Sequence, residues 1–131
     1  CSPASAQKIS QEALTWAEAA PTDGGTLFEG LCAVCHGSDG KGNGPAAVAL
    51  KDLPPDLTLL TVKNEGDFPA RKVSRMIREG GSAAHGSAEM PIWGHAFVDV
   101  RPDRKVGERE TRAAVRIRNL TQYLESIQSD P

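Results

Sequence analysis

The clearest pattern along the chain lies near its end, where Ala113, Ile117, Leu120, Leu124 and Ile127 recur in steps of four and three. Such spacing is the apolar stripe of an amphipathic helix. Glu108 and Glu110 stand at its beginning, where negative charge suits the positive end of the helix dipole. A second stripe begins after Thr22-Asp23-Gly24-Gly25, with Thr22 or Asp23 as cap, and runs through Leu27, Phe28, Leu31 and Val34. A third helix is predicted from Pro69 to Glu79, with Asp67 near its start, Pro69 in its first turn and Gly80-Gly81 as terminator. Val73, Met76 and Ile77 form its inner face, so Met76 reads as core. Arg71, Lys72, Arg75 and Arg78 form its outer face.

Ahead of these, Ile9, Ala13, Trp16, Ala17 and Ala20 also keep a helical spacing, with Ser10 as cap and Pro21 as stop. Trp16 is expected to seal this extra helix onto the surface. Ser2 to Lys8 are small and polar without period, the pattern of a flexible arm. Residues 37–45 hold four glycines and a proline and predict a tight loop with positive-φ positions. The stretch Leu53-Pro54-Pro55-Asp56-Leu57-Thr58 is irregular, with a short apolar run at Leu57, Leu59, Leu60 and Val62. Residues 82–97 are a loop with little period, and 98–107 read as a charged surface insertion. No segment reads as a strand with turn signals, so the fold class is all-α.

Composition narrows the picture. The chain has 131 residues, room for one compact domain, and its 39% apolar and 5% aromatic residues are thin for a core. A large apolar ligand would ease that deficit. A net charge of -2 gives no basic field for nucleic acid. No run of about 18 apolar residues occurs, and no leader pattern opens the chain, so it reads as a mature form.

The chemistry is concentrated in Cys32-Ala33-Val34-Cys35-His36. Two thiols at this spacing reach the two vinyl groups of a haem, and the following histidine supplies the proximal imidazole to its iron. A thioredoxin-like dithiol would sit at a helix start after a strand, whereas this pair ends a helix in a chain without strands. A structural zinc site would need a second ligand pair; Cys1 is far away, and His85 and His95 lie on a loop. With one haem per chain, a carrier needs the sixth iron position filled, and only Met76 or Met90 can supply a thioether, which raises the potential relative to a second imidazole. Met90 lies in a loop without helical period and is the better candidate. His85 and His95 flank it as alternatives.

These residues fall into four stretches: Gly24-x-x-x-Phe28-x-x-x-Cys32-x-x-Cys35-His36, then Gly37-x-x-Gly40-x-Gly42-x-Gly44-Pro45, then Met90-Pro91-x-Trp93-Gly94, and Leu120-Thr121-x-Tyr123-Leu124. In order and spacing they resemble a bacterial class I c-type cytochrome over roughly residues 22–128. The resemblance implies an all-α fold whose N- and C-terminal helices cross around one covalent haem c, with Gly24, Phe28 and Tyr123 at the crossing. It implies Cys32 and Cys35 as attachment points and His36 and Met90 as axial ligands. It also implies that the Pro45 carbonyl accepts a hydrogen bond from His36. Leu57 and Leu60 are expected in the wall of the haem pocket, and Trp93 at the porphyrin edge with its N–H toward a propionate.

The implied function is single-electron transfer between membrane-associated redox partners, without bond-making chemistry and as a monomer. Maturation of such proteins takes place outside the cytoplasmic membrane, which implies the periplasm. Cys1 is then expected to carry a lipid, as in bacterial lipoproteins, with Ser2 to Lys8 as a tether reaching about 25 Å. On this division, residues 1–21 are tether and extra helix, and 22–131 the haem domain with its insertion at about 98–107. The alternatives are a haem enzyme or ligand sensor with a displaceable Met90, and a dedicated subunit of a larger oxidoreductase. The basic face of the third helix would steer an acidic partner if it flanks the haem edge.

Overall fold

The computed structural model describes residues 22–80, 90, 93–96 and 105–130. The arm, the extra helix with Trp16, Cys1, His85 and most of the 98–107 stretch lie outside the described residues. Within them the chain is helical and contains no strand, in agreement with the all-α expectation.

The first helical rod begins as α1 (Gly24–Leu27), widens into a π turn (Phe28–Cys32) and ends as α2 (Ala33–His36). Its start is fixed by Asp23, whose carboxylate accepts from the Thr26 amide at 2.8 Å and from the Thr26 hydroxyl at 2.8 Å. That cap satisfies an amide that no helical turn reaches. The helix therefore begins at Gly24, and the two glycines lie inside it rather than before it. In the π turn the Ala33 amide donates to the Phe28 carbonyl, five residues back. Such one-turn widenings recur at functional sites, and here the turn ends on the first motif cysteine.

Two 3-10 turns (Ala47–Ala49 and Leu57–Leu59) and the short α3 (Leu60–Lys63) follow, then α4 (Ala70–Glu79), α5 (Trp93–Ala96) and α6 (Val106–Ser126). Pro69 caps α4 instead of opening it, and Gly80 at φ +79° ends it. The α6 helix starts at Val106, so the last two residues of the predicted insertion are helical. Among the described residues no helix is long and apolar enough to cross a membrane.

The core forms where α1 and the π turn cross α6. Leu27, Phe28 and Leu31 from the first rod meet Ala113, Ile117, Leu120 and Leu124 from the last, and α4 adds Val73 and Ile77. Gly24 makes the close approach feasible, because a Cβ there would fall on the Asn119 carbonyl and within 2.9 Å of Tyr123 Cβ. Phe28, fully buried, packs its ring 5.2 Å from that of Tyr123 at 43°, a tilted aromatic pair. Burial of that one side chain contributes roughly 1.5–3 kcal/mol relative to exposure.

Some positions depart from the periodic reading. Arg116 and Thr121 are buried on the inner face of α6, Arg116 at 0% exposure, while Ile127 is only half-buried against the core. The Thr121 hydroxyl is satisfied by the Ile117 carbonyl at 2.7 Å. Met76 is half-buried and does not join Val73 and Ile77 in the core. It lies roughly 100° around the helix from Ile77, on the flank of the buried stripe.

Candidate functional site

The end of the first rod leaves carbonyls that no helical amide reaches, and the glycine-rich loop returns to satisfy them. Gly37, at φ +80°, turns the chain, and its amide donates to the Ala33 carbonyl at 2.8 Å. The amides of Gly42, Gly44 and Ala46 then donate to the carbonyls of His36, Cys35 and Val34 at 2.7, 3.1 and 2.8 Å. Side chains would prevent this return, since a Cβ on Gly44 would fall on the Ala33 and Val34 carbonyls. The Asp39 carboxylate stiffens the loop by accepting from the Lys41 amide at 3.0 Å and the Asn43 side chain at 3.3 Å. Backbone bonds therefore hold Cys32, Cys35 and His36 in a fixed frame.

Cys32 is buried and Cys35 partly so, and the two are not joined by a disulfide. Burial, with Cys35 adding to it, pushes the Cys32 thiol up to about 12. A dithiol that works by exchange needs the opposite, a thiol lowered toward neutrality. Among the described residues no cluster of three or more histidine, cysteine or carboxylate side chains converges as a metal-binding set. Cys32, Cys35 and His36 thus do not close on one bare ion. They suit a planar group that takes two thioethers at its edge and an imidazole at its centre.

His36 fits that group as well. Burial holds its imidazole below the usual histidine range, in the neutral form that can offer a lone pair to iron. Its Nδ1 is buried without a hydrogen-bond partner. The Pro45 carbonyl therefore does not accept from it, contrary to the expectation. The backbone on either side of Pro45 is committed to the helix end through Gly44 and Ala46, and the proline itself stands exposed.

The remaining expected residues lie on one core. Leu57, Leu60 and Met90 are half-buried against the core cluster that includes Cys32, as is Phe68, which no sequence pattern singles out, and Trp93 is buried within it at 7% exposure. Gly94 seats α5 on the end of α4, where a Cβ would come within 2.6 Å of the Arg78 carbonyl. The side chain of His95, like all of His85, lies outside the described residues, as do Pro91 and Ile92. Sequence reasoning did not find Gln128, whose side chain binds the backbone at Leu57 and Thr61. A polar residue just past a helix carries no periodic signal.

The family model for cytochrome c matches residues 21–127. Comparison with curated proteins and with solved structures returned no match. A match over most of the chain, on a helical frame that presents two thiols and a half-buried imidazole, leads to one assignment: the chain belongs to the cytochrome c family, is a class I c-type cytochrome, and carries covalent haem c for electron transfer.

Proposed function

We propose that this protein is a single-electron carrier, with the haem attached through Cys32 and Cys35 and its iron held between His36 and Met90. The observation that carries the reading is the place of Met90. Half-buried, it packs against the core cluster of which Cys32 is one member, whereas Met76, also half-buried, is not among the side chains packed there. The haem supplies one-electron redox chemistry at its iron. The chain's own residues hold it and exclude water. The frame of loop bonds fixes the backbone at His36, Leu57 and Leu60 form one apolar wall, and Trp93, buried in the core, brings an indole suited to the porphyrin edge.

A thioether in the sixth position leaves no site for an added ligand, which favours transfer over catalysis. Reduced protein exposed to carbon monoxide tests this. A low-spin spectrum in both oxidation states, unchanged by the gas, is expected of the carrier. A prompt spectral shift would favour a ligand-binding sensor or enzyme.

The partners we propose are redox proteins with acidic docking surfaces. Arg71, Lys72, Arg75 and Arg78 are all exposed along α4, and such a face steers encounter more than it adds affinity. We extend the proposal to the periplasm, with a lipid tether through Cys1. The intact mass of the natively expressed protein tests that extension directly: added lipid mass at the N-terminus is expected, and its absence would end the idea.

A further inference from the structure

The segment from Leu57 to Lys63 folds as a 3-10 turn and a single α turn. Elements this short do not hold themselves, since helix formation repays its nucleation only over several turns. Their position is set by bonds from outside. On one side the Leu57 amide donates to the Gly40 carbonyl at 2.7 Å, and the Asp56 carboxylate caps the Thr58 amide at 2.9 Å and accepts from its hydroxyl. On the other side stands Gln128, just past α6. Its amide nitrogen donates to the carbonyls of Leu57 at 2.6 Å and Leu124 at 2.7 Å, and its oxygen accepts from the Thr61 amide at 3.0 Å. The Ser129 amide adds a bond to the Thr58 carbonyl at 2.8 Å.

Both donors of the Gln128 amide are thus used, and its oxygen is engaged. One side chain ties α6 to the backbone on both sides of the turn that carries Leu57 and Leu60. Those two leucines pack against the core cluster, Leu57 also lying against the loop at Gly40. A solvated glutamine at the end of a helix would make none of these contacts.

We infer that Gln128 is a positioning residue for the haem pocket: by holding Leu57 and Leu60 in place it limits water at the haem and so raises the reduction potential. The inference rests on the reading of Leu57 and Leu60 as pocket wall. Its physical basis is that water around the iron favours the more highly charged ferric state, so burial raises the potential.

Three variants of the holoprotein test it by potentiometry across pH. Q128L keeps an apolar side chain at the position and removes all three bonds, and its potential is expected to fall below that of the wild type. Q128E gives a reversible version of the same loss. Its protonated carboxyl donates to one carbonyl and accepts from Thr61, keeping two of the three bonds, so in acid its potential should lie nearer the wild type than Q128L. Once ionised it faces two carbonyl oxygens, so its potential should drop to the Q128L level, with the step displaced above the ordinary glutamate value of about 4.3. The other titratable groups nearby are Asp56, flanked by Lys41 and Lys63, and Glu125 on α6. All are shared with the wild type, which serves as the blank.

Leu60→Ala separates the two levels of the inference. If Leu60→Ala lowers the potential while Q128L and Q128E follow the wild type at every pH, the pocket reading stands and the role of Gln128 is overturned. If Leu60→Ala leaves the potential unchanged, the pocket reading fails and the inference fails with it. Should Q128L not mature, titration of Q128E decides alone, because its haem is attached before the pH is changed.

Discussion

The α-carbon of Gly24 faces the backbone carbonyl of Asn119 so closely that even a methyl group on Gly24 would overlap it. The Asn119 side chain donates to the Thr22 carbonyl at 2.8 Å, pinning the chain just before the crossing. The contact joins the first and last helices, and with it the motif-bearing rod to the longest helix of the core.

Gly24→Ala should therefore destabilise the protein by about 1–3 kcal/mol, the usual cost of forcing volume into a packed contact. The better helix propensity of alanine, about 1 kcal/mol at best, does not offset backbone overlap. Gly107→Ala is the control: it lies in α6 with open space around the added methyl and should be neutral or stabilising by up to about 1 kcal/mol. Denaturant unfolding of both holoproteins measures the difference, and equal midpoints would show that the crossing is looser than described.

Asp23 gives a pH signature. The amide of Thr26, and then its hydroxyl, hold the Asp23 carboxyl below its ordinary value of 3.8. A folded-state value below the unfolded one means that the bond's contribution is present above the unfolded value and is lost as pH falls through the folded one. Asp23→Ala should be less stable than the wild type at neutral pH, with the gap closing below about pH 4. Asp23→Asn, which still accepts from Thr26, should lose the pH dependence of the cap and keep most of its stability. Thermal melts at a series of pH values check both.

The basic face of α4 predicts a charge effect on small redox reagents. Charge reversal at Arg71 and Arg75 should slow oxidation by ferricyanide and speed the reaction with a cationic ammine complex. Raising the ionic strength should shrink both effects, because exposed charges are screened. Stopped-flow traces that are the same for wild type and variant, at low and high salt, would remove this face from the path of electron transfer.

The frame of the fold was legible because repetitive physics writes it into the chain. The stripe Ala113, Ile117, Leu120 and Leu124 is buried as its spacing requires, Asp23 caps the first rod, and Gly24 meets Tyr123 where the family resemblance implied. Departures occur where a residue's role depends on distant chain. Arg116 is charged and so does not count toward an apolar stripe, yet it is fully buried. The Gln128 clasp joins segments 67 and 71 positions apart in sequence, beyond any local pattern. Met76 keeps an approximate helical register but falls on its flank. The bond expected from His36 to Pro45 is not formed, because a glycine–proline pair specifies a turn and not the direction of its carbonyl.

Met90→Ala tests the central claim most directly, by potentiometry and optical spectra of the holoprotein with and without carbon monoxide. The wild type should show a thioether-ligated low-spin spectrum indifferent to the gas. The variant should have a lower potential, lose the thioether features and bind carbon monoxide or cyanide. A variant that kept the wild-type spectrum and potential would show that the iron is not held by Met90, and would contradict the account.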